Sequence, residues 1–243
     1  MTRTRPNPNL DKMNLYFIIL VFILLSVVSI FVYFEFKDRE LLKTVTNLNR
    51  GTKSERKMVL KILKSGIKST AIFHDIYLNN GNGKYSQIDL VVATKVGIVV
   101  FEIKEYSGWI FGSENQINWT QILAYGKQKY KFYNPILQNK KHVEDLKKFY
   151  HFDGIPIFSM IVFFGDCEFK NFIDLPSRTF LTKSNNVMNR FNEILESNEP
   201  AEYENKWEIA SVLKQAVKNG ENSIIRKKHI ENIQKLKTRN RFY

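Results

Sequence analysis

One cysteine, Cys167, stands in the 243 residues, which excludes an intramolecular disulfide and any cysteine-rich zinc site and leaves an inert thiol. The four histidines, His74, His142, His151 and His229, are scattered without metal-ligand spacing. No internal repeat or low-complexity tract occurs, so the chain does not read as a repeat array. Acid is scarce. Twenty-four Asp and Glu stand against 37 Lys and Arg, a net charge of +13 that attracts polyanions, either nucleic acid or anionic lipid, without choosing between them. Apolar residues are not scarce: a hydrophobic content of 44% over this length suffices for one core of ordinary size plus appendages.

The longest apolar run, Leu15 to Phe34, carries no charge over twenty residues, the length needed to cross a hydrocarbon core. It predicts a transmembrane helix, with Tyr16, Tyr33 and Phe34 at the ends where aromatic belts form. A cleaved signal peptide is the competing reading, although the run continues through Ile30-Phe31-Val32-Tyr33-Phe34, past the small-residue site near Ser29. Arg3, Arg5 and Lys12 flank one side; Lys37, Arg39, Lys43, Arg50 and Lys53 flank the other. This bias predicts a single-pass membrane protein with a cytoplasmic C-terminal domain, and the lone thiol agrees with a reducing compartment.

Past the membrane, Leu41, Leu42, Val45 and Leu48 give Phe36 to Asn49 a helical spacing. A second helix is expected from Ser54 to Leu63, its stripe formed by Met58, Val59, Ile62 and Leu63 and its end set by Gly66. Strands are expected near Ala71 to Leu78, Ser86 to Ala93 and Ile98 to Lys104, followed by a meander through Trp109 to Gly112 and Ile117 to Trp119. Asn134-Pro135 opens a helix to about Tyr150. Ile157 to Phe164 reads as a buried central strand and Arg178 to Thr182 as another, and the remainder is helical with breaks at Pro200 and Gly220.

Two of these runs carry charges where apolar residues belong: Gln87-Ile88-Asp89-Leu90-Val91-Val92 and Gly97-Ile98-Val99-Val100-Phe101-Glu102-Ile103-Lys104. Buried charges cost free energy unless they are paired or hold a metal. Strand alternation puts Ile98, Val100, Glu102 and Lys104 on one face, and a hairpin turning at Lys95 brings Asp89 beside Glu102. Two carboxylates and an ammonium then meet, the parts required for metal-dependent phosphodiester hydrolysis. The plainer reading is a solvated pair at the end of an edge strand. Apolar residues on both faces weigh against it, because an edge strand in water more often alternates.

The order Gly51-x-x-x-Glu55, Gln87-Ile88-Asp89, Glu102-Ile103-Lys104-Glu105-Tyr106-Ser107-Gly108-Trp109-Ile110-Phe111-Gly112, Trp119 and Asn134-Pro135-Ile136-Leu137-Gln138 resembles the nuclease-related domain, NERD, of the PD-(D/E)xK phosphodiesterase superfamily, over roughly residues 47 to 165. The resemblance implies an α/β fold of restriction-endonuclease type, with a four-stranded mixed central sheet flanked by helices, here preceded by one transmembrane helix. It implies Asp89 and Glu102 as ligands of Mg2+ or Mn2+, with the Ile103 carbonyl beside them, and Lys104 as the group that orients or activates water and stabilises charge on the phosphate. Glu55 resembles an extra acidic ligand; a carboxylate stabilising a helix N-terminus is the other reading. Gln138 would hold water or phosphate, or else cap or pack. The family often has Gly where Ser54 stands and Asn where Glu105 stands. Ser54 is a competent helix cap, and alternation turns Glu105 to the opposite face.

The resulting layout is a short basic tail over 1–14, a membrane helix over 15–34, a juxtamembrane helical linker over 35–50, a NERD domain over 51–183 and a basic helical extension over 184–243. In the extension, Arg226, Lys227, Lys228 and Lys235 lie among Ile225, Ile230 and Ile233 as an amphipathic basic helix. With Lys141 they are candidates for phosphate contact on DNA, or for anionic lipid headgroups; the alternative is a solvated helix docked by its apolar stripe. Two functions follow: a membrane-anchored nuclease acting on DNA, or a catalytically silent tether for nucleic acid or a protein.

Overall fold

The computed structural model describes residues 8–239 apart from 82, 124, 125, 150, 151, 153 and 171–174. Arg3, Arg5, His151 and the last four residues lie outside the described residues. Helix α1 runs over Pro8–Lys43 and is long and apolar enough to cross a membrane. Its far end is docked: Leu42 is buried in the domain core with Leu41, Val45 and Leu48 against it, and Lys64 Nζ donates to Asp38 Oδ2 at 2.6 Å.

Helix α2, Lys53–Lys64, starts at Thr52 rather than at Ser54, the residue whose chemistry suggested a cap. The Thr52 hydroxyl accepts from Glu55 N–H at 3.2 Å and the Glu55 carboxylate accepts from Thr52 N–H at 3.1 Å, a reciprocal capping box. Ser54 is buried in the first turn and donates to Glu105 Oε2 at 2.6 Å.

Five strands follow one another in space: β1 (Ile72–Asn79), β2 (Tyr85–Thr94), β3 (Gly97–Lys104), β7 (Ile157–Phe163) and β9 (Thr179–Lys183). The first pairings are antiparallel and the β3–β7 and β7–β9 pairings parallel, so the sheet is mixed. The expected meander is present as three consecutive antiparallel strands of a separate sheet, ordered β6 (Gln128–Tyr133), β5 (Asn118–Leu123), β4 (Gly108–Phe111) and β8 (Cys167–Lys170), with β8 parallel to β4. Helix α3, Pro135–Phe149, returns from this second sheet to the first.

Two cores sandwich the main sheet. Val99, Phe101 and Ile103 face α2, where Met58, Val59 and Ile62 pack; Ile98 and Val100 face the other way, toward Leu146 of α3. The alternation read from β3 therefore holds on both faces. Helix α4, Val187–Glu196, buries Val187, Phe191 and Ile194 in the first core, and α5, Lys206–Glu221, buries Ile209, Leu213 and Ala216 in the second. These segments complete the domain. The last helical break falls at Asn222, before α6 (Ser223–Arg239), rather than at Gly220. Gly220 serves close approach instead, since a Cβ there would lie 2.2 Å from Arg50 Nη2 and 2.5 Å from the Asp75 carbonyl.

The β1–β2 ladder is interrupted once. Phe73 faces Val91 and His74 faces Leu90, then Ile76 faces Ile88 in the same register. Phe73, Val91, Ile76 and Ile88 all join one core although three residues separate them along each strand, an odd step that a regular strand would send to opposite faces. Both strands turn over at Asp75 and Asp89, where Asp75 has a φ of +50°.

Candidate active site

The turn at Lys95-Val96 sets the β2–β3 register from Thr94–Gly97 to Leu90–Phe101, and one further step brings Asp89 level with Glu102. Asp89 Oδ2 accepts from Ile103 N–H at 2.7 Å. The side chain thus takes over a backbone donor where the ladder opens. Glu102 is 1% exposed, and its Oε1 lies 2.6 Å from Lys104 Nζ. Lys104 Nζ also donates to Gln138 Oε1 at 3.0 Å.

Gln138 reaches this point because the start of α3 is pinned. Asn134 is fully buried; its side-chain oxygen accepts from Ile136 N–H at 2.8 Å, and its amide donates to the carbonyls of Ser113, Glu114 and Gln116. Asn139 ties the same helix to the sheet, donating to the Val100 carbonyl and to Ser159 Oγ, both at 2.9 Å. One turn after Gln138, His142 Nε2 stands 3.4 Å from Glu102 Oε2, while its Nδ1 lies 3.0 Å from Ser86 Oγ.

Glu55 lies on the other side of the sheet. Beyond its cap contact, Glu55 Oε2 is 3.4 Å from His74 Nε2, and His74 Nδ1 is 2.8 Å from Thr46 Oγ1. Gly51, at φ +61°, closes over this pair; a Cβ there would lie 2.4 Å from Glu55 Oε2 and 2.6 Å from His74 Nε2. Next to it, Arg50 Nε donates to Asp75 Oδ2 at 3.1 Å and Gln87 Nε2 donates to Asp75 Oδ1 at 2.9 Å, which satisfies the carboxylate at the ladder break.

Burial is the strongest influence on Asp89. With the Glu102 and Glu55 carboxylates it pushes the Asp89 carboxyl well above its usual range, against the Ile103 N–H and Lys104. Burial alone would pull Lys104 down, but contact with Glu102 and the charge of Asp89 outweigh it and raise the ammonium. Burial likewise pushes Glu55 up, and His74 and Thr52 outweigh it, holding that carboxyl below its usual range.

Glu102 Oε2 is buried without a hydrogen-bond partner, an orphaned oxygen of the kind a hard cation satisfies. Among the described residues no three His, Cys, Asp or Glu side chains converge on one cation position. Two carboxylates remain enough for Mg2+, which keeps several of its waters and takes one or two carboxylates from protein. The residues fit such an ion.

Arg50 through Phe164 is also the stretch with known relatives. Residues 50–164 match the nuclease-related domain family. This segment is a nuclease-related domain. An uncharacterized protein of Bacillus anthracis is 34% identical over 119 residues, which is 49% of this chain and 55% of that protein. The chain thus spans about half the length of the curated relative it matches. No solved structure matches.

The NERD segment contains Glu55, Asp89, Glu102, Lys104 and Gln138, and the PD-(D/E)xK placement is consistent with it. The structure brings Asp89, Glu102, Lys104 and Gln138 together, with Glu55 near enough for its charge to act on Asp89. Lys141 points elsewhere and pairs with Asp145. Arg226, Lys227, Lys228 and Lys235 ride on α6, which lies outside the NERD segment and docks through His229 Nδ1, 2.9 Å from the Tyr85 carbonyl. Two residues of the expected apolar stripe of α6, Ile230 and Ile233, are exposed, and Ile225 is half-buried. His142 was absent from the expected site, yet its spacing of four from Gln138 puts both on one helix face. His74 and Ser86, single residues in strands, carry no such signal.

Proposed function

We propose that this chain is a membrane-anchored, divalent-metal-dependent nuclease that hydrolyses phosphodiester bonds in DNA. The supporting observation is the junction of buried Glu102 with half-buried Asp89 and Lys104 in one cluster, with a buried Glu102 carboxylate oxygen left unpartnered. Asp89 and Glu102 would hold Mg2+ or Mn2+, which when bound supplies Lewis acidity for water and for the phosphoryl oxygens. The raised proton affinity of Asp89 opposes ion binding, so an ion held there would have to displace a proton from that carboxyl. Lys104, kept protonated, acts as a fixed positive charge and hydrogen-bond donor toward developing phosphate charge rather than as a base. Gln138 orients the ammonium through Oε1, leaving its amide nitrogen for water or phosphate. A helix of membrane-spanning length, continuous to residues docked in the core, supports the anchor, and the basic excess on its C-terminal side supports a cytoplasmic domain.

One observation favours the silent-tether reading: Lys104 already neutralises Glu102 at 2.6 Å. The deciding experiment assays the full chain in detergent micelles on linear and supercoiled DNA with Mg2+, Mn2+ or EDTA. Cleavage that requires metal and is lost in Asp89→Ala and Lys104→Ala supports the nuclease. Cleavage surviving both substitutions overturns the site, and salt-sensitive binding without cleavage moves the reading to the tether.

A further inference from the structure

The second sheet has one closed face and one open face. Its closed face carries Ile110 and Trp119, both fully buried, and packs on Phe163. Pairing puts Glu168, Trp109, Ile122 and Lys129 in one row across the opposite face, and Lys170, Phe111, Thr120 and Lys131 in the next. Tyr133 stands one row further along, opposite Asn118.

This open face combines aromatic surface with positive charge. Trp109 is 38% and Tyr133 50% exposed. Lys129 and Lys131 are exposed on an edge strand, and among the described residues neither has a carboxylate partner. Glu168, the acid in the first row, is taken up by Lys170, whose Nζ lies 5.7 Å from the Trp109 ring centre. A groove of about 760 Å3 opens beside Trp109, walled by Ser107, Leu123, Asp166 and Lys183. The chain links the face to the proposed catalytic groups at both ends: Glu105–Ser107 separate Lys104 from β4, and Asn134 alone separates Tyr133 from α3.

Exposed aromatic rings interleaved with unpaired lysines suit single strands, whose unstacked bases present π-faces and whose phosphates present charge. A duplex hides its base faces. The geometry points to the open face of the second sheet as a platform for single-stranded nucleic acid, with bases stacked on Trp109 and Tyr133 and phosphates held by Lys129 and Lys131. It rests on the nuclease reading only in taking nucleic acid as the substrate.

The test measures anisotropy of a labelled oligo-dT and of a duplex of equal length with the full chain in micelles, in EDTA so that nothing is cut. Wild type should bind the single strand more tightly. Trp109→Ala should weaken that binding by about 5- to 150-fold, the range for loss of one base–aromatic stack. The double variant Lys129→Gln with Lys131→Gln should flatten the slope of log affinity against log salt by about 1.4, two single-strand phosphate contacts at about 0.7 each. Variants that bind like wild type, equal affinity for duplex, or no DNA binding at all would overturn the platform. Single-strand binding that responds to these variants while Mg2+ never elicits cleavage leaves the platform standing and defeats the nuclease. Metal-dependent cleavage indifferent to them does the reverse.

Discussion

The molecule contains the same buried unit twice, once on each side of its main sheet. On the α3 side Glu102, His142 and Ser86 form a carboxylate–imidazole–hydroxyl line; on the α2 side Glu55, His74 and Thr46 form another. In both, glutamate Oε2 and histidine Nε2 are 3.4 Å apart, and all four atoms lack a hydrogen-bond partner. The units differ in what meets the second carboxylate oxygen. Glu55 Oε1 accepts from Thr52 N–H and fixes the start of a helix, whereas Glu102 Oε1 meets the Lys104 ammonium beside Asp89. An acid tied to backbone serves the fold; an acid beside a charged side chain and a second carboxylate can exchange partners and hold an ion.

Substituting one glutamate at a time breaks this comparison most sharply. Glu102→Gln should reduce metal-dependent cleavage by at least about 100-fold, the scale for losing one preorganised electrostatic group. Glu55→Gln should leave most of the cleavage and lower stability by about 0.5–2 kcal/mol, the range for a helix cap. Cleavage rates at saturating Mg2+ and thermal unfolding of the same samples report both. Equal loss of cleavage in the two variants would make Glu55 a third ligand and erase the distinction.

The histidines give a smaller effect. His142→Ala removes the imidazole that flanks Glu102 and should weaken apparent Mg2+ affinity about 10- to 100-fold, as loss of an outer-shell partner does. His142→Gln, which keeps a polar group beside Glu102, should recover part of it. His74→Ala should leave Mg2+ affinity unchanged while lowering the unfolding temperature. Metal titrations of cleavage on the three variants separate these outcomes, and a shift in apparent Mg2+ affinity for His74→Ala would tie the two units together.

Much of the site was legible because its parts are local. The short turn at Lys95 fixes the hairpin that joins Asp89 to Glu102, and Asn134-Pro135 announces the helix that carries Gln138. Other features depend on distant partners and left little trace. Strand β6, Gln-Lys-Tyr-Lys-Phe-Tyr, is exposed along almost its whole length, so no apolar rhythm marked it, and β8 is too short to show one. The left-handed turn at Asp75 is held by Arg50 and Gln87, which lie 25 and 12 residues away. The segments of α4 and α5 read as helical, without showing which core each would close.

The smallest expected effect sets the two sides of the sheet against each other in pH. Glu55 has a lowered pKa in the fold, so its stabilising contribution is present above the unfolded carboxylate value and lost as pH falls through the lowered one. Asp89 has a raised pKa, so its contribution is whole below the unfolded value and lost as pH rises through the raised one. Without metal, Glu55→Gln should therefore flatten the acid limb of stability and Asp89→Asn the limb toward neutral pH, each kcal/mol moving the unfolding temperature by about 2–4 °C. Asn at position 89 can still accept from Ile103 N–H, which isolates the charge. Mn2+ at about 100 times its dissociation constant should then add about 2.7 kcal/mol to wild type and little to Asp89→Asn. Thermal unfolding across pH, in EDTA and in Mn2+, carries the test: a wild type that gains stability in EDTA as pH rises past the usual carboxylate range would remove Asp89 from the list of strained charges and with it the reason that side chain welcomes a cation.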